Sequence, residues 1–135
     1  MESMRGKYFT KPDETRVFPK GRIEIVRLGG VTLGLGKFRP GWRWSEHVKP
    51  IAGTPSCRAH HLGYIISGRM RVVMDNGKKA ELGPGGVANI PPGHDAWVVG
   101  RKTCVFLDFM GMDTYANPAK RGRTSRKRAT TKGKN

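Results

Sequence analysis

The stretch from His61 to Val98, HLGYIISGRMRVVMDNGKKAELGPGGVANIPPGHDAWV, most constrains what this chain can fold into. A short apolar run ends at Ser67-Gly68. A second, Met70-Arg71-Val72-Val73-Met74, ends at Asp75-Asn76-Gly77. Two Gly/Pro clusters follow, Gly83-Pro84-Gly85-Gly86 and Pro91-Pro92-Gly93. Short β-rich runs cut at close intervals by turn residues specify an antiparallel sandwich or barrel. Asn76-Gly77 predicts a tight primed hairpin turn, because both residues tolerate positive φ.

Upstream, Arg22 to Leu28 alternates and predicts a strand, Gly29-Gly30 a turn, and Val31 to Phe38 a second strand. In that strand Val31, Leu33 and Leu35 share one face, and Gly34 and Gly36 the other. Pro40-Gly41 turns into Trp42-Arg43-Trp44, whose indoles share a face, and residues 49–55 read as loop. Arg58 to Ile66 and Arg69 to Asp75 are expected to pair as a hairpin. Shorter strands are expected at 78–82, 87–90, 95–99 and 103–109, the last with Cys104, Phe106 and Asp108 on one face.

These residues carry a family resemblance. The pattern over roughly residues 38–110 resembles the cupin domain, a small jelly-roll β-barrel. His61 through Gly68 matches its first motif, a ligand-bearing strand closed by glycine, and Pro91-Pro92-Gly93 matches the Pro-x-Gly of its second. The resemblance implies an all-β fold with an inward-facing pocket, and often a transition metal bound by histidines and a glutamate. Counting back from Gly68 puts the family's glutamate slot on His61. The preceding histidine slots fall on Cys57 and Pro55 with one gap length, or on Ser56 and Thr54 with the other. The second-motif histidine slot falls on Ala96. The chain thus departs from the family's ligands at each slot.

Substitutes are present. His61 occupies an inward slot, His94 shares the parity of Ala96, Cys57 shares that of His61, and His47 lies upstream in the same region. A set drawn from His61, His94, Cys57 and His47 suits zinc, iron, manganese, nickel or copper, imidazole and thiolate disfavouring magnesium and calcium. The alternative is a polar pocket without metal. His60 neighbours His61 and so faces the other way. His94 also suits a turn residue bonded to local backbone. Trp42, Trp44 and Trp97 are candidate pocket walls, with plain core packing as the alternative. Tyr64 is expected opposite His61. For Asp108, a salt bridge to an arginine is favoured over a pocket carboxylate.

The 135 residues suit one domain. Residues 1–19 are polar and read as an arm for the barrel edge or for a partner, 20–112 as the barrel, and 113–135 as a disordered basic tail. Residues 116–135 hold eight Lys/Arg and no acid, which is +8 of the formal +16. Lys120, Arg121, Arg123, Arg126, Lys127 and Arg128 would attract nucleic acid by counterion release, with acidic lipid as second partner and a mere solubilising role as alternative. No apolar run suits a signal peptide or a membrane span, and two cysteines, Cys57 and Cys104, make no disulfide framework, so a cytoplasmic, reduced protein is expected. Open sheet edges and a free arm favour a homodimer.

No nucleophile elbow, Walker loop, paired zinc cysteines, Rossmann glycines or helix-turn-helix is present. Two functions remain. One is a cupin binding a small organic ligand, with a transition metal and metal-assisted oxidation or isomerisation. The other is a non-enzymatic sensor or interaction module whose barrel dimerises and whose tail contacts nucleic acid.

Overall fold

The computed structural model describes residues 3–113 together with 115 and 116. Its first three strands, β1 (Glu14–Phe18), β2 (Gly21–Leu28) and β3 (Val31–Phe38), form an antiparallel meander. Leu28 pairs with Val31 across Gly29-Gly30, and both glycines have positive φ, 61° and 78°. This is the primed turn that matches strand twist. On β3 the glycines face inward: a Cβ on Gly34 would sit 2.4 Å from the Met112 Cγ, so the bare backbone makes room for that side chain. Leu33 and Leu35 are left half-buried on the outer face.

Two single helical turns follow, α1 (Trp44–His47) and α2 (Lys49–Ala52), where the sequence predicts loop for the second. Pro50 suits a first helical turn, and Gly53, at φ 74°, ends it after one turn. The remaining strands are β4 (His61–Ser67), β5 (Met70–Met74), β6 (Lys79–Leu82), β7 (Val87–Ile90), β8 (His94–Val98) and β9 (Cys104–Asp108). They complete a six-stranded sheet, β1-β2-β3-β9-β4-β7, and a three-stranded sheet, β6-β5-β8. All the pairings are antiparallel. Both sheets feed one core that includes Ile23, Ile25, Phe38, Ile65, Val72 and Phe106.

The expected hairpin between residues 58–66 and 69–75 does not form. β4 pairs with β7 and β9, whereas β5 pairs with β6 and β8. Gly68 is the cause. It lies at φ 75°, and a Cβ there would be 2.4 Å from the Thr103 carbonyl oxygen, so only glycine turns the chain so tightly from one sheet to the other. The Asn76-Gly77 turn lies where expected but is of another kind. Gly77 has positive φ, 91°, and Asn76 does not. The Gly77 N–H donates to the Met74 carbonyl and the Met74 N–H to the Lys78 carbonyl, both at 2.8 Å. Residues 75–77 therefore form a three-residue loop with glycine in the left-handed position.

Both expected boundaries shift. Residues 14–18, read from sequence as arm, are the edge strand β1. Tyr115 and Ala116, read as tail, are buried in the core beside Met112. The basic cluster Lys120, Arg121, Arg123, Arg126, Lys127 and Arg128 lies outside the described residues. Among the described residues no helix is long and apolar enough to cross a membrane.

Candidate metal centre

His61 opens β4 and His94 opens β8, one on each sheet. Strand parity turns both rings inward, and they meet edge to face with centroids 5.3 Å apart. Cys57, in the loop before β4, is fastened to His94 by backbone. Its N–H donates to the His94 carbonyl at 2.8 Å, and its carbonyl accepts from Gly93 at 2.7 Å. The Pro91-Pro92-Gly93 turn thus sets two candidate ligands at once. One donor atom each from Cys57, His61 and His94 lies within 4.8 Å of the others, and all three residues are buried.

The tautomers suit a metal. The His61 Nδ1–H donates to the Asp108 carboxylate at 2.6 Å, and the His94 Nδ1–H to the Pro91 carbonyl at 2.8 Å. Each ring keeps Nε2 for the lumen, and the His61 Nε2 is 3.7 Å from the Cys57 Sγ. Imidazoles fixed through Nδ1 to a carboxylate or carbonyl are how proteins orient metal-binding histidines. A thiolate and two imidazoles can hold a transition metal and leave a coordination position open. The donor set therefore fits the ion that a cupin site implies, although none of the three occupies the residue type the family pattern prescribes.

The same contacts govern protonation. Burial alone pushes the Cys57 thiol up, but hydrogen bonds with His61 and then His94 outweigh it and bring it down to about 6. Burial likewise opposes charge on His61, yet the hydrogen bonds with Asp108 and then Cys57 raise it to about 9. Both shifts favour the thiolate beside the imidazolium, through their mutual hydrogen bond and that of His61 with Asp108. Cys104 is a separate free thiol, pushed by burial to about 11.

Asp108 is a candidate site residue for which the sequence favours a salt bridge to arginine. No arginine pairs with it among the described residues. It is 1% exposed and holds the His61 imidazole, while its other oxygen accepts from the Met110 N–H at 2.9 Å. The inward alternation Cys104, Phe106, Asp108 was the available signal. Tyr115 was missed altogether. Its ring stands edge-on to His61, centroids 5.3 Å apart. It is held there by Arg16 of β1, whose guanidinium donates to the carbonyls of Met112 and Tyr115. Glu14 steadies Arg16 at 2.7 Å and is itself drawn down to about 2 by Arg16 and Arg27.

The other candidates divide. Trp42 and Trp44 line the lumen with Phe106, Met112 and Tyr115, around free space of about 40 Å³. A water needs roughly 10–15 Å³ on that measure, so the room suits a group of a few atoms. Trp97 is a correction: it has the opposite parity to Ala96 and lies outside the lumen, under the Arg43 guanidinium at 4.1 Å. His47 is another. It sits on α1 with Nδ1 3.0 Å from the Arg43 backbone N–H, so the helical turn folds its ring onto its own backbone, apart from the three-residue group. His60 faces out as expected and contacts Asn89 at 2.6 Å. Tyr64 is 40% exposed on the opposite face from His61.

Two antiparallel sheets around one lumen, with histidines delivered from both, define a small cupin-type β-barrel. The profile of the EutQ-like cupin domain matches residues 34–105, and the chain belongs to that family. Solved structures agree on the fold. A protein of unknown function from Rhizobium leguminosarum bv. viciae 3841 superposes with a TM-score of 0.58 at 17% identity, over 81% of this chain and 97% of that one. The polyketide cyclase RemF from Streptomyces resistomycificus gives 0.57 at 21% identity, over 80% and 79%. A protein from Acinetobacter sp. ADP1 gives 0.54 at 14% identity, over 73% and 90%. No protein of curated function matches the chain by sequence.

Proposed function

We propose that this cupin holds one transition-metal ion with Cys57, His61 and His94 and binds a small organic ligand at the position left open. The observation that carries the reading is the paired restraint of the imidazoles, His61 by Asp108 and His94 by the Pro91 carbonyl, with the Cys57 sulfur beside them. A bound ion would supply Lewis acidity to a ligand oxygen. The chain's own residues supply the rest. Asp108 fixes the His61 tautomer, the Pro91 carbonyl fixes that of His94, and Trp42, Trp44 and Phe106 keep bulk water out. Metal-assisted oxidation or isomerisation of a small molecule is the activity class this arrangement supports. The thiolate favours zinc, copper, nickel or iron over manganese.

Cobalt(II) reports directly on this ligand set. Titrated into metal-free protein, it should give an intense thiolate charge-transfer band and visible bands of tetrahedral strength at one equivalent. His61→Ala should lose most of the bound ion, because two protein ligands hold a transition metal poorly. A wild-type protein that takes up no stoichiometric cobalt or zinc at neutral pH would sink the reading.

One observation favours the interaction-module reading beside it. Leu62, Tyr64 and Ile66 on β4 and Val87 on β7 expose apolar side chains on the outer face of the large sheet, at 39%, 40%, 47% and 68%. A second copy of the chain covering this face would make the homodimer, and the charge of residues 116–135 would serve nucleic acid. Light scattering of wild type against Tyr64→Lys tests the first part. Retention on DNA at low salt, with and without residues 117–135, tests the second. A monomer in the first assay and equal retention in the second would dismiss this reading.

A further inference from the structure

The barrel wall is not sealed all the way round. β6 ends the small sheet and β7 ends the large one, and the two do not pair with each other. A groove of about 300 Å³ opens between them. Its walls are apolar. Met74, Leu82, Ala88 and Ile90 line it, and Met74, Leu82 and Ile90 stay half-buried although they pack against the core. Ala80 on β6 and Ala88 on β7 carry no side chain large enough to fill the gap. An apolar recess with a few polar groups is the usual make-up of a small-molecule site.

The groove carries charge of one sign. Lys78 and Lys79, where β6 begins, line it, and no acidic side chain does. The acids nearest in sequence are held elsewhere. Asp75 lies 3.8 Å from the Arg58 guanidinium and accepts from the Ser56 hydroxyl at 3.0 Å. Glu81 is shared between Arg69 at 3.0 Å and Arg71 at 3.1 Å. Among the described residues neither lysine ammonium meets a carboxylate. A ligand that suits both the walls and these two cations is apolar along its length and anionic at one end. The four residues of β6 span roughly 10 Å, room for an extended chain of medium length.

We infer that this groove binds a fatty carboxylate of medium chain length, its carboxylate set between Lys78 and Lys79 and its chain laid along β6 and β7 against Met74, Leu82 and Ile90. One carboxylate offers an oxygen to each ammonium. Seating the chain takes from water both its own apolar surface and that of the three half-buried side chains. The site is separate from the metal reading, since none of Cys57, His61 and His94 lines it. It neighbours that centre all the same. Met74 pairs with His94 and Ile90 with His61, so a ligand in the groove lies against the strands that flank both histidines.

Methyl NMR signals of protein labelled with ¹³C at methionine give the test, since Met74 lines the groove and the exposed Met4 and Met110 serve as controls. Met74→Leu assigns the reporting signal. Octanoate should shift it saturably and leave those of Met4 and Met110 in place. Octanamide, uncharged and of the same length, should bind several-fold more weakly, and butyrate at least tenfold more weakly. Lys78→Gln combined with Lys79→Gln should weaken octanoate by about three- to tenfold and leave octanamide unchanged, since each surface ion pair contributes little. Ala80→Trp fills the groove and should abolish binding of both. A Met74 signal unmoved by millimolar octanoate overturns the inference. Octanamide binding as tightly as octanoate overturns the part given to the lysines and with it the ligand class. A groove that ignores octanoate while Ala80→Trp turns a dimer into a monomer by light scattering belongs to a second copy of the chain, which overturns the inference too. Zinc-loaded and chelator-treated protein should respond alike. Failure of cobalt uptake therefore leaves this site standing, and an unmoved Met74 signal with intact cobalt bands removes this site alone.

Discussion

Replacing Asp108 with Asn keeps the shape of the side chain and removes its charge. In metal-free protein the loss falls on His61, held near 9 against an ordinary 6.5. That gap corresponds to roughly 3 kcal/mol in favour of the imidazolium, at about 1.4 kcal/mol per pH unit. Asp108 and Cys57 share it, with Asp108 the larger contributor. Asp108→Asn should therefore cost about 2 kcal/mol at pH 6, in the range for hydrogen bonds to charged groups. The sign follows from linkage. A group whose folded pKa is raised stabilises the fold fully below its unfolded value, and the stabilisation fades as pH rises through the folded value. Here the advantage of wild type should be widest near pH 6 and shrink steadily toward pH 10. Urea denaturation with chelator present, repeated across that range, measures it. Carbon-detected titration of the His61 ring should show its pKa fall by more than one unit in the variant. A wild-type advantage that stays constant or grows with pH would refute the coupling between Asp108 and His61.

Three further outcomes are expected. Gly68→Ala should destabilise the fold by roughly 2 kcal/mol or more in thermal or urea unfolding, because it combines positive φ with a Cβ 2.4 Å from the Thr103 carbonyl. Arg16→Ala leaves the Met112 and Tyr115 carbonyls without their buried donor and should cost roughly 2–4 kcal/mol. It should also shift the His61 ring signals as Tyr115 lifts away. His47→Ala and Trp97→Ala should leave the stoichiometry of bound zinc unchanged by elemental analysis, since neither joins the three-residue group. Trp97→Ala should still lose about 0.5–1 kcal/mol of stability with its Arg43 contact.

Much of the barrel was legible because its information is local. Alternation gave the long strands, glycine pairs gave their ends, and the motifs around Gly68 and Gly93 gave the family. The family's motif slots, with parity to Ala96, put His61 and His94 in the lumen, and parity applied to Trp97 would have removed it, since Ala96 beside it faces in. What failed was information spread along the chain. The β4–β5 junction looks like a hairpin until Thr103, from a distant segment, is seen to press on Gly68. Asp108 meets His61 across 47 residues, and with so many arginines in the sequence, composition pointed elsewhere. Tyr115 looked like tail because its partners lie far back in the sequence, Arg16 on its carbonyl and Phe18 and His61 against its ring.

The grip of Arg16 on Met112 and Tyr115 also fixes an order of events during synthesis. Arg16 leaves the ribosome 96 residues before Met112 does. In the interval Cys57, His61 and His94 have all been made, yet the ring that covers His61 has not. A barrel under construction is therefore a vessel without its lid, open to ions and oxidants alike. Once Tyr115 arrives and Arg16 takes hold, its ring stands against His61. The unfinished chain thus leaves the three side chains more accessible than the finished one does.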